Sequence, residues 1–206
     1  MRPEEFTEDH YNDLVQFMQK EVGGLHVVYK RDAAEMVLIE KGLEKVSSLI
    51  GDEWISPQAW MERYATTLAT KVYIPEPWSP YQKCAGLVHE VEHVLQWKER
   101  QPQSDLPPNV QFAWLYLTWG MGRVRSEVEA YRAGQLEFAY EMTGVLTPLS
   151  EMKKPLEGTA YLLSEKDQEN SRILLAAAGT TVSQGVAPST NAARLGVRWA
   201  RERGLI

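Results

Sequence analysis

Apolar residues recur along this chain at two spacings, and the helical one dominates. Thr7 can cap a first helix that ends at Gly23-Gly24. Asp32-Ala33-Ala34-Glu35 has the form of a capping box, followed by Met36, Ile39, Leu43, Val46 and Ile50 on one face and closed by Gly51. Ser56-Pro57 opens a short helix through Trp60 and Tyr64. Ser79 and Pro80 start a longer one, from about Pro80 to Glu99, rich in Ala85, Leu87, Val88, Val91, Val94 and Leu95. An aromatic helix follows with Phe112, Trp114, Leu115, Leu117 and Trp119, and Gly120-Met121-Gly122 breaks it. Another runs from about Arg123 to Met142 and stops at Gly144, with Pro148 beyond.

Two short β-rich runs stand out, Leu25 to Tyr29 and Leu68 to Ile74, the second ended by Pro75 and Pro77. Beyond Pro148, Ser164 caps a helix through Ile173 and Ala177, Thr180 to Val186 reads as a strand or a loop, and Ser189 caps a last helix through Trp199. The pattern predicts an α+β fold, mainly helical, with a small sheet packed on the helix that begins at Pro80. Pro148 to Pro155 marks the expected boundary between a main domain, residues 1–147, and a C-terminal helical extension, residues 148–206. An extension of about 50 residues is near the lower limit for independent folding, so it is expected to pack on the main body.

Within the Pro80 helix, Val88-His89-Glu90-Val91-Glu92-His93-Val94 carries the strongest chemical signal. His89 and His93 are four residues apart and lie one turn apart on one helix face, where both imidazoles can reach one metal ion. Glu90 sits about 100° around the helix, close enough to reach a water on that metal without binding the metal. This is the HExxH arrangement of zinc metalloproteases, two histidines holding zinc and the glutamate acting as general base. Half of the chain's 4 histidines fall in this one turn. Its apolar flanks suit a buried helix better than a solvated one.

Composition narrows the remaining classes. A net charge of −6 with both signs interspersed gives no support for a nucleic-acid partner. Cys84, the one cysteine, allows no internal disulfide and reads as a small core residue. The N-terminal residues lack the apolar stretch of a signal peptide, and the apolar run near Phe112 to Met121 is about half the length a bilayer needs, so no membrane association is expected. The expected setting is cytoplasmic, or the host cytoplasm for a viral protein.

A catalytic zinc site takes three protein ligands and keeps one position open. A metzincin pattern would need a glycine at position 96 and a histidine at position 99, where the chain has Gln96 and Glu99. His10 and His26 precede the motif and read as a surface residue and a half-buried strand residue. A carboxylate remains, and the segment Ser126-Glu127-Val128-Glu129-Ala130-Tyr131-Arg132 stands out. With HExxH upstream, this chain resembles a zincin-fold metallopeptidase of the gluzincin type. More narrowly, it is similar to small peptidases that carry HExxH and a later Glu-x-x-Ala-(Asp/Asn) element, of the ImmA/IrrE or minigluzincin kind. The resemblance covers roughly residues 55 to 143. It implies zinc held by His89, His93 and Glu127, with the strand Leu68 to Ile74 preceding the site helix. Tyr131 stands where those families often carry Asp or Asn, so the hydrogen bond that an acid or amide there would give to a ligand is not expected in that form. Glu127 and Glu129 point about 200° apart, so one of them alone can face the metal, and a Ser126–Glu129 capping box would make Glu129 structural.

Tyr131, one turn after Glu127, can lean over the metal and donate to an oxyanion. Arg123, Arg125 and Arg132 are expected at the surface, and Glu92 lines the cleft or is solvated. The expected function is zinc-dependent peptide-bond hydrolysis of a peptide or protein substrate, with Glu90 and Tyr131 as catalytic groups. The alternative is a zincin-fold binding or structural protein with a non-catalytic metal site. Leu68 to Ile74 is expected as an edge strand that binds substrate main chain along the cleft rim.

Overall fold

The computed structural model describes residues 1–41, 56–100, 120–157 and 163–206. The chain opens with a 3₁₀ turn, Pro3–Glu5, and helix α1, Glu8–Glu21. Strand β1, His26–Tyr29, runs through a 3₁₀ turn at Lys30–Asp32 into helix α2 over residues 34–41. Helix α3, Pro57–Arg63, leads to strands β2, Thr66–Leu68, and β3, Lys71–Ile74. The long helix α4, Pro80–Arg100, follows. Helix α5, Gly120–Tyr131, passes without a break into a π-helical segment, Arg132–Phe138, and then into α6, Ala139–Thr143. Three more helices complete the chain: α7, Leu149–Glu157; α8, Glu165–Ser183; and α9, Asn191–Glu202. Among the described residues the architecture is mainly helical with one three-stranded sheet.

Helix starts follow the caps read from the sequence. Thr7 accepts from the His10 N–H, while His10 Nδ1 accepts from the Thr7 N–H at 3.1 Å, so His10 closes its own helix's first turn. Ser56 accepts from the Ala59 N–H at 3.1 Å. At α4 the exchange is reciprocal: Ser79 Oγ accepts from the Gln82 N–H at 3.3 Å, and Gln82 Oε1 accepts from the Ser79 N–H at 2.9 Å.

Other expectations are corrected. The run Leu68 to Ile74 is not one strand. It holds a two-residue connection at Ala69-Thr70, where Ala69 takes a left-handed φ of 56°, and the chain folds back on itself. The sheet order is β1-β3-β2, with β1 parallel and β2 antiparallel to β3. β3 is therefore central, with both backbone edges paired, and cannot bind a substrate chain along a cleft rim; the sheet edge nearer α4 belongs to β2. Asp32 lies in the 3₁₀ turn rather than capping α2, and Glu35 accepts from Tyr73 Oη at 2.7 Å and from Lys71 Nζ at 2.9 Å. Ser126 and Glu129 stand inside α5, so they form no capping box. Residues 180–183 extend α8 instead of forming a strand or loop. The last helix begins after Thr190, and Ser189 is turned elsewhere. The stretch read as a boundary at Pro148 to Pro155 is itself largely helical, in α7. His26 is exposed rather than half-buried. The expected helical face beyond Ile39 and the aromatic helix from Phe112 to Trp119 lie outside the described residues.

Helix α4 is the axis of the fold. Every residue from 83 to 94 is buried, apolar and polar alike. Leu87, Val88, Val91 and Val94 join the main core with Leu14 and Met18 of α1, Val72 and Ile74 of β3, Phe138 of the π segment, and Ala193 and Trp199 of α9. Cys84 is buried in the same core. A second cluster unites α5, the π segment, α7 and α8 through Val124, Leu136, Met152, Leu156 and Leu175. A buried helix can carry charged residues only where partners satisfy them. Lys83 Nζ donates to Glu8 Oε1 at 2.8 Å. Glu92, expected at the cleft or in solvent, is buried and accepts from the Ala192 N–H of α9 at 2.8 Å. Glu137 clasps the same helix end, accepting from the N–H and hydroxyl of Thr190 at 3.0 and 2.6 Å and from those of Ser189 at 3.1 and 3.0 Å. Two carboxylates thus stand at the positive end of α9 and fix it to the site helix and the π segment. These bonds hold the Glu137 carboxyl below its ordinary range although burial alone would raise it.

Candidate metal centre

Helices α4 and α5 bring three sequence-predicted residues together. His89 and His93 project from one face of α4, and Glu127 reaches them from α5. Glu127 Oε2 lies 3.8 Å from His89 Nε2 and 3.6 Å from His93 Nε2. Potential ligand atoms of all three lie within 4.8 Å of one another, and all three residues are buried. Ligand atoms bound at about 2.0–2.1 Å around a tetrahedral ion stand roughly 3.3–3.5 Å apart, so the observed spacing is close to a coordination shell. Two imidazole nitrogens and one carboxylate oxygen suit zinc and similar divalent ions in their chemistry. His89, His93 and Glu127 could hold a metal ion.

The two glutamates of α5 stand on different faces. Glu127 points into the cluster and is 2 % exposed, whereas Glu129 is exposed and accepts from Gln96 Nε2 at 3.1 Å. Ser126, buried at the adjacent position, offers its carbonyl oxygen to the same Gln96 amide at 3.1 Å.

Two amides that the sequence left unassigned orient the imidazoles. Gln96 Oε1 lies 3.1 Å from His93 Nδ1, and Gln135 Oε1 lies 3.1 Å from His89 Nδ1. An amide oxygen only accepts, so each Nδ1 carries a hydrogen, and in the neutral ring the lone pair is left on Nε2, which faces the cluster. Gln135 belongs to the π-helical segment. Gly134, beside it, lets that segment press on α4: a Cβ there would stand 2.3 Å from the Ala85 carbonyl oxygen and 3.0 Å from the His89 Cβ. Tyr131 packs its ring edge-on to His89, with centroids 4.7 Å apart at 85°.

Electrostatics separate the two histidines. Burial holds His89 below its ordinary value, outweighing the pull of Glu90 and Glu127. Burial also acts to lower His93, but the Glu127 carboxylate, helped by Glu90 and Gln96, raises it to about 9.

No protein family, no curated protein and no solved structure matches this chain.

Glu90 stands beside the cluster, with Oε1 4.0 Å from His89 Nε2. Its other oxygen, Oε2, accepts from the Thr67 hydroxyl of β2 at 2.6 Å. His89, Glu90, Tyr131 and Gln135 border a cleft of about 660 Å³, which His93 and Glu127 do not line. Trp78, Tyr81, Leu146 and Met152 give the cleft apolar walls. Gly86 lets the Trp78 ring pack directly on α4, since a Cβ there would lie 2.4 Å from it. Of the arginines expected at the surface, Arg125 is exposed, Arg123 is buried, and Arg132 is partly buried with Nε 2.7 Å from Glu137 Oε1. None of the three borders the cleft. Among the described residues, no helix is long and apolar enough to cross a membrane.

Proposed function

We propose that this protein is a zinc-dependent peptidase of the zincin type, acting on a peptide or protein substrate. The reading is supported above all by one arrangement: a buried His89–His93–Glu127 cluster with a fourth group, Glu90, beside it on the side that opens to a cleft. A metal bound only for structure has no use for a carboxylate held next to it at an open face. In this reading His89, His93 and Glu127 hold the zinc. When bound, the metal supplies Lewis-acid polarisation of a carbonyl oxygen and lowers the pKa of a water at its open position. Glu90 Oε1 then takes the proton from the attacking water and carries it to the nitrogen of the departing amine. Tyr131, beside His89, serves the oxyanion as hydrogen-bond donor. Gln96 and Gln135 keep both imidazoles in the tautomer that binds metal. The cleft, at 660 Å³, is large enough to receive side chains of an extended peptide on either side of the bond to be cut.

The test joins metal analysis to peptide hydrolysis. The purified chain is expected to carry one zinc, to lose it on His93→Ala, and to cleave members of a mixed peptide library only with zinc present. Glu90→Gln should keep the zinc and lose hydrolysis by about 10²- to 10⁴-fold. Zinc-loaded protein that cleaves no member of the library would leave the metal site standing and remove the peptidase reading.

A further inference from the structure

We propose that Thr67, on the sheet edge facing α4, is a positioning residue that fixes which oxygen of Glu90 faces the metal centre. The inference rests on the reading of Glu90 as general base. Its observation is independent of that reading. The Thr67 hydroxyl donates to Glu90 Oε2 at 2.6 Å and lies 3.3 Å from the Glu90 carbonyl oxygen. Glu90 Oε1 is the oxygen turned towards His89, at 4.0 Å from its Nε2. The two carboxylate oxygens therefore have separate roles, one anchored and one presented.

A short hydrogen bond from hydroxyl to carboxylate is among the stronger ones a protein makes. It matters here because glutamate has three side-chain torsions, and an unanchored carboxylate would divide its time among several orientations. A general base must lie within hydrogen-bond reach of the proton it takes, so each wasted orientation lowers the rate without touching substrate affinity. Thr67 is itself rigidly placed. It pairs with Val72 of β3, which is fully buried, and its own side chain is β-branched, with few rotamers. The anchor thus runs from the sheet core through one hydroxyl to the base. Glu90 is 6 % exposed, and a carboxylate so buried needs such a partner.

Three variants of the full chain test this. Thr67→Val removes the hydroxyl and keeps the shape; Thr67→Ser restores the hydroxyl; Glu90→Ala removes its acceptor. In metal-free protein, urea unfolding should register Thr67→Val as a shift of at least fivefold in the unfolding equilibrium in the wild-type background and less than twofold beside Glu90→Ala. An equal shift in both backgrounds overturns the contact. In zinc-loaded protein, Thr67→Val should lower kcat at least tenfold with KM within twofold, zinc affinity should stay within threefold, and Thr67→Ser should recover most of kcat. Unchanged kcat, a loss carried by KM, or no recovery with serine overturns the positioning role while the wild type still hydrolyses peptide. A wild type that hydrolyses nothing defeats the peptidase reading and the positioning role with it, and the unfolding coupling then still decides whether Thr67 anchors Glu90.

Discussion

Gln135 Oε1 and His89 Nδ1 lie 3.1 Å apart although 46 residues separate them in the chain. The bond fixes the ring of a residue whose other nitrogen faces Glu127. Outer hydrogen bonds of this kind typically change metal affinity by 10- to 100-fold. Gln135→Leu is therefore expected to weaken zinc binding by about that factor, read by titration against a competing chelator, while leaving the helices intact by circular dichroism. Unaltered affinity would show that His89 is oriented by packing alone.

Glu127 and Glu129 offer a paired test on one helix. Glu127→Ala removes the carboxylate that stands 3.6 and 3.8 Å from the two imidazoles, and the protein should no longer retain zinc through gel filtration. Glu129→Ala should keep it at full stoichiometry, because that side chain is exposed and reaches the cluster only through Gln96. The reverse result would move the ligand to the other face of α5.

Metal and proton compete for His93. In the metal-free fold its pKa is raised to about 9, mainly by Glu127 against the effect of burial, so the ring is protonated at pH 7. A metal takes the neutral ring. Zinc binding at pH 7 should release about one proton from this residue, and affinity should rise about tenfold per pH unit from 7 towards 9. Calorimetry in two buffers of different ionisation enthalpy measures the release. A binding enthalpy independent of buffer would contradict it.

Lys30 gives the fold a separate pH dependence. It is fully buried, its ammonium donates to the Trp60 carbonyl at 2.9 Å and lies 3.6 Å from the centre of the Trp60 ring, and burial lowers its pKa to about 7. An unfolded lysine titrates near 10.4, so between these values the unfolded chain binds the extra proton. Stability should therefore rise with pH from 7 towards 10 and level off as pH drops below the folded value. The difference between pH 7 and 9 is roughly 2 kcal/mol from this group. Urea unfolding of Lys30→Met should lack that increment; an identical slope in both proteins would refute it.

The parts of this protein that the sequence made legible are those governed by local spacing. His89 and His93 share a helix face because 3.6 residues make a turn, and Ser79, Ser56 and Thr7 start helices because side-chain oxygens satisfy free N–H groups. Gln96, three residues after His93, follows the same local logic, since i and i+3 share a helix face. The hairpin was harder, since Ala69 takes a left-handed φ that a glycine or asparagine would have announced. Glu92 reads as a cleft or solvated residue because its partner, the first turn of α9, lies 100 residues away in sequence, and nothing local singles out Glu137, whose partner Thr190 lies 53 residues away. Gln135 could not be placed by helical arithmetic at all, because π-helical geometry interrupts the α-helical count between Tyr131 and Ala139.

That interruption makes this stretch a matter of length as much as of composition. A π turn holds an extra residue relative to an α turn, and the helix on either side is regular. Shortening the segment Arg132–Phe138 by one residue would restore an unbroken α-helix and rotate everything beyond it by about 100°. Glu127 and Tyr131 would still face α4, but Glu137 would swing away from Ser189 and Thr190, and α9 would lose half of its clasp. No single substitution could recover both alignments. Single-residue deletions between 132 and 138 should therefore be tolerated far less well than point changes at the same positions, and the site and the last helix constrain each other through a count of residues.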